Sequence, residues 1–192
     1  MTPEELNEAR TNPDFIKYIN EKEKEAFDNQ NISELYSILD TLLILDLSDE
    51  NRINKVYEEI LTIAFEAIQD RIKEKEKLSI DTEDIYFIRS FYEHAIEKWS
   101  VQDYKGAKEL FFILTRIVED NILVDAFNIH LINTSQNIDM DDFYEKVDME
   151  SEPTKEQYGY FISNFNFDTK EYLDSNISII TKEYENLKNL LN

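Results

Sequence analysis

The sequence predicts an all-α protein, and three observations carry that prediction. Glycine and proline are scarce, two and three in 192 residues. No proline falls between Asp14 and Glu152, and so long a stretch without turn punctuation does not suit the frequent reversals of a β-rich fold. Apolar residues recur at helical spacing through most of the chain. Together they imply a single domain of about seven to nine antiparallel helices, built as a helical repeat or as an irregular bundle.

The N-terminus reads TPEE, where Pro3 can take the first helical position behind Thr2 and Glu5 can close a capping box. A helix near 3–9 follows. Asn12 before Pro13 repeats the signal and opens a helix over 13–28. Over 31–46, Ile32, Leu35, Tyr36, Leu39, Leu42 and Leu43 form one stripe. Over 50–77, Ile53, Val56, Tyr57, Ile60, Leu61, Ala64, Ile68 and Ile72 form another. Ser48 or Asp49 can cap that helix, and RIKEKEK ends it with cations at the negative pole of the dipole.

The helix over 82–101 is apolar on two faces. Ile85, Ile88, Tyr92, Ala95, Ile96 and Trp99 make one; Phe87, Phe91 and His94 make the other. Such a helix belongs in the interior of a bundle. Helices over 104–118 and 121–135 follow after very short links, which places neighbours antiparallel. DMDDFYEKVDMESEP (139–153) carries seven acids and one lysine and shows no stripe. It reads as an exposed connector with at most a short helix near 140–147. TKEQ and DTKE then open helices near 155–166 and 169–191. The domain plan is a helical core over 1–136, an acidic connector over 137–153 and a C-terminal helical pair over 154–192 packed on the core.

Charge narrows the function. Forty-two acidic against twenty basic residues leave a net charge of −22. Phosphate backbones and anionic membrane surfaces would repel such a chain, so no nucleic-acid or membrane partner is expected. Acidic surfaces keep proteins apart in solution, and they also steer basic partners. The N-terminus has no basic and apolar leader pattern, and the expected location is cytoplasmic. There is no cysteine, which removes disulfides and thiolate chemistry.

Other chemistry finds little footing. The Glu-x-x-His order of di-iron bundles is absent, since Phe91 precedes His94 at −3 and Phe127 precedes His130. One core histidine and one groove or surface histidine is the simpler reading. An EF-hand loop counted from Asp139 would need glycine where Tyr144 stands. No glycine pair makes a phosphate loop. No metal, cofactor or enzymatic activity is expected.

Gly106 stands at the start of the 104–118 helix, where it keeps the turn uncrowded beside Tyr104. Ala95, Tyr104, Ala107, Phe111 and Leu114 resemble the small and large signature positions of a tetratricopeptide repeat over 88–120. DYKGAKELFFIL is similar to the second-helix segment of the tetratricopeptide chaperones of type III secretion systems. Gln102 replaces the family's turn glycine, and Glu119 its closing proline. A fainter copy lies at 33–46. The resemblance implies a concave surface receiving a peptide, onto which Arg89, Tyr92, Ile96 and Trp99 would project. The other reading of Trp99 is a lid on the end of the core.

The function expected is therefore that of a protein-binding adaptor or chaperone. Its groove, lined by Arg89, Tyr92, Ile96 and Trp99, would take a segment of another protein, basic where it meets the acid rim. Self-association into a homodimer stays open. The alternatives are an acidic mimic of nucleic acid and a metal-binding or enzymatic bundle.

Overall fold

A computed structural model describes residues 2–45 and 50–191, with the side chains of residues 3 and 5 outside that description. Among the described residues there are ten α-helices, two 3-10 turns and no sheet. The chain divides into two compact units, Met1–Ala67 and Ile68–Asn192. The boundary between them falls after Ala67, and the acidic segment lies within the second unit.

The first unit holds α1 (Pro3–Thr11), α2 (Pro13–Asp28), α3 (Ile32–Ile44) and the start of α4 (Glu50–Glu74). Asn12 caps α2, its Oδ1 accepting from the Asp14 and Phe15 amides at 3.0 and 3.2 Å. Asn31 caps α3 through the Glu34 amide at 3.1 Å. Leu35, Tyr36, Leu42, Val56, Ile60 and Ala64 form its buried core. Arg52 of α4 donates to Glu23 Oε2 at 2.7 Å and to Asn20 at 2.7 Å, tying α4 to α2. The Thr2–Glu5 box rests on the Glu5 side chain and the Ser48 or Asp49 cap on residues 46–49, which lie outside the description.

The second unit is centred on α5 (Asp84–Ser100), α6 (Tyr104–Ile117) and α7 (Asn121–Ser135), with α6 packed on both neighbours. Ala95, Ala107 and Phe111 are fully buried. The strap before α5 is pinned to the end of α6: the Leu78 amide donates to the Ile117 carbonyl at 2.7 Å, and the Glu119 amide to Leu78 at 3.0 Å. Beyond α7 come α8 (Met140–Tyr144), a 3-10 turn (Glu156–Tyr160), α9 (Thr169–Ser175), α10 (Ile177–Leu187) and a 3-10 turn (Lys188–Leu191).

Three C-terminal expectations are corrected. The segment 137–153 is no mere connector, because Phe143 is fully buried and Val147 bridges Phe165. The helix expected over 155–166 is a single 3-10 turn. Its Ile162 amide is drawn off to the Tyr92 hydroxyl at 2.9 Å, so no helical ladder continues there. The helix expected over 169–191 breaks at Asn176, whose own Nδ2 donates to the Tyr172 carbonyl at 2.9 Å. Such local side-chain bonds compete with the ladder.

Four helices stop in the same way. Gln30, Lys75, Gln102 and Asn137 have φ of 49°, 58°, 62° and 54° and follow the ends of α2, α4, α5 and α7. After each, the next amide reaches back: Asn31 to Ala26, Glu76 to Arg71, Asp103 to Lys98 and Ile138 to Asn133, at 3.0, 3.0, 2.8 and 3.0 Å. These are left-handed helix stops of the kind glycine usually fills. Gln102 adopts this glycine-like conformation with a full side chain.

Gly106 has a different task. Its amide donates to the cap residue Asp103 at 2.9 Å. A Cβ at 106 would sit 2.5 Å from Asp103 Oδ2 and 2.7 Å from Lys98 Cδ. The crowding is thus from the cap and its Lys98 partner, not from Tyr104. Alanine would gain about 1 kcal/mol of helix propensity but displace a cap worth about as much. Gly106→Ala is expected to be near neutral alone and to stabilise by about 1 kcal/mol in an Asp103→Ala background. A thermal-denaturation cycle over the four proteins checks this, and additive effects would contradict it.

Candidate functional site

In the second unit α7 places His130 among a cluster of aromatic rings. Its ring lies 4.9 Å from Phe111, 4.9 Å from Phe143, 5.5 Å from Tyr92 and 6.0 Å from Trp99, centroid to centroid. Nδ1 is 2.6 Å from the Ala126 carbonyl and must carry the proton. Nε2 then accepts from the Tyr92 hydroxyl at 3.3 Å. That hydroxyl in turn accepts from the Ile162 amide. Every polar atom of the chain from Ile162 to Ala126 is therefore satisfied, as a buried network requires. Burial pushes His130 down to about 4, against a smaller rise from Ala126. Burial also raises the Tyr92 hydroxyl far above the usual tyrosine value.

The four residues expected to line a groove do not line one. Trp99 is 1% exposed, with its ring 4.6 Å from Phe143 and its Nε1 donating to the Ile138 carbonyl at 2.8 Å. Tyr92 is 4% exposed. Arg89 is buried too, its Nε bonded to Glu93 at 2.7 Å and its guanidinium 4.5 Å from the Tyr160 ring. Ile96 is half-buried. The reason is that the chain covers this face of α5 itself, with α8 and the segment around Phe161, whose ring is 5.2 Å from Tyr92. Trp99 is a core residue. His94, beside Glu97 at 3.0 Å, is the histidine nearer the surface.

What opens to solvent is the far side of that covering segment. A cleft of about 290 Å³ lies between 147–153 and 158–164. Arg89 and Tyr92 support its floor from beneath, through Tyr160 and Ile162. The two arms are stitched together: the Asp148 amide donates to the Asn164 carbonyl at 3.1 Å, and the Asn166 amide to Lys146 at 2.9 Å. Met149 is 76% exposed and Tyr160 42%, while Phe161 is buried. Asp148 is held below the usual carboxylate range by the Ser151 hydroxyl and by the Glu150 and Ser151 amides. Tyr158 is pushed up to about 12, by burial and then by its bond to Asp120 at 2.8 Å. Asp148, Glu150 and Glu152 lie along one arm.

Sequence reading missed this cleft because TKEQ reads as the start of a helix across 155–166. The clue present was Gly159 among aromatics, where an added Cβ meets open space. Among the described residues, no group of three His, Cys, Asp or Glu side chains could hold a metal ion, and no helix is long and apolar enough to cross a membrane. Comparison with known proteins finds no matching family model, no matching curated protein and no matching solved structure.

Proposed function

We propose that the chain is a protein-binding module whose cleft between 147–153 and 158–164 receives a short basic segment of another protein. One apolar side chain of that segment enters between Met149 and Tyr160, and its cations meet Asp148, Glu150 and Glu152. The supporting observation is that exposed Met149 and Tyr160 line one cleft above Phe161, which packs on Tyr92. Methionine and tyrosine suit such contacts, the first by adapting its shape and the second by giving large area at low entropic cost. The net charge of −22 adds attraction that fades with salt.

A photo-crosslinking residue at 149 tests the reading, with one at exposed Ile122 as the control. The expected result is one protein captured from 149 and not from 122. In purified form it should bind at least tenfold more weakly to Tyr160→Ala, and more weakly in high salt. A partner whose affinity ignores both Met149→Glu and Tyr160→Ala would sink the assignment.

A further inference from the structure

In a chain with twice as many acids as bases, cations are expected beside carboxylates. One place in the second unit departs from this. Where the end of α4, the strap before α5, the end of α6 and the last 3-10 turn meet, a pocket of about 230 Å³ is lined by Arg71, Lys75, Lys77 and Arg116. Glu76 is the one acid in its wall. Arg71 is occupied, since it bonds Glu76 and reaches Asp84 at 3.4 Å. The other three have no carboxylate partner among the described residues. Lys77 Nζ donates to the Arg116 backbone carbonyl, and Arg116 lies over the Tyr184 ring at 5.3 Å. Among the described residues, Lys75, Lys77 and Arg116 make no ion pair.

Helix polarity explains only part of this. Arg71 and Arg116 are in the last turns of α4 and α6, where a cation offsets the dipole's roughly half-unit negative charge. Lys75 and Lys77 lie beyond the end of α4 and gain much less, because the effect fades within one turn. Lys77 and Arg116 instead repel each other. Burial first and Arg116 second push Lys77 below its ordinary value, and Glu119 offsets this only in part. Two like charges share one wall with Ile72, Ile117 and Leu191, and an anion between them would offset their repulsion.

We propose that this pocket binds a phosphate-type oxyanion, held by Lys75, Lys77 and Arg116. Arg116 supplies a planar fork of donors, and the two lysines supply point charges, the combination that recognises phosphoryl oxygens. The anion is either free phosphate or the phosphoryl group of a phosphorylated peptide. The site is separate from the cleft between 147–153 and 158–164 and does not rest on that assignment.

The test uses the full chain at constant ionic strength, because any salt relieves the self-repulsion of so acidic a protein. Inorganic phosphate is titrated against chloride, followed by the amide shifts of Lys77 and Arg116 and by melting temperature. Saturable shifts are expected, weakened at least tenfold in Lys77→Met and in Arg116→Met. Lys170→Met, on an exposed lysine of α9, should change nothing. Both side chains are surface groups, and circular dichroism checks that the variants fold. A phosphoserine peptide forms the second arm: binding tenfold tighter than phosphate identifies a phosphorylated partner, and the reverse identifies the free anion. Shifts that fail to saturate, or that survive in both variants, overturn the proposal.

Discussion

Trp99→Ala is expected to lower stability by about 3–5 kcal/mol, the range for removing a large aromatic from a packed core. Trp99 is 1% exposed and touches the rings of Phe111, His130 and Phe143. Alanine there leaves a cavity that those rings cannot fill without abandoning one another. Trp99→Phe should be milder: it keeps most of the ring contact and loses mainly the bond to the Ile138 carbonyl, about 1 kcal/mol. Urea denaturation followed by circular dichroism measures both. The refolded alanine variant should still bind whatever the cleft binds. Unchanged stability with lost binding would restore Trp99 to a partner surface.

The second large effect is pH dependence through His130. Its folded value, about 4, lies below the free value of about 6.5. Between those two values the unfolded chain holds more protons than the folded one. Stability from this group is therefore complete above about 6.5 and falls as pH drops toward 4, by about 3 kcal/mol in total. Protonation of the many carboxylates relieves repulsion over the lower part of the same range, with the opposite sign. The difference between the native protein and His130→Gln isolates the histidine. Glutamine can accept from Tyr92 but does not titrate, so the native protein should lose the excess stability on acidification and the variant should not. Parallel pH profiles would show that His130 is not enclosed as described.

How much of this was legible depended on the range of the interactions involved. The helix over 13–28 was readable to the residue, because Asn12 and Pro13 mark its start locally. The interior position of α5 was readable from its two apolar faces. What covers its Trp99 face was not. Phe143 and Phe161 arrive from segments far along the chain, and the Tyr92–Ile162 bond joins residues 70 positions apart. Nothing in the spacing of α5 encodes that encounter. Its result is that residues chosen for a partner instead hold up the cleft from behind.

The helix stops at Gln30, Lys75, Gln102 and Asn137 bear on the unfolded chain as much as on the folded one. A side chain in the left-handed region costs the native state about 1–2 kcal/mol. It also leaves the unfolded chain stiffer than glycine would, which returns about 0.5–1 kcal/mol. The balance at each exposed stop favours glycine slightly, least at Asn137, since asparagine tolerates this conformation. With its two glycines elsewhere and neither at positive φ, the protein keeps its disordered state narrow at the expense of four strained corners. Its stability thus rests partly on what the unfolded ensemble is denied, and glycine at Gln102 leaves room for it to rise.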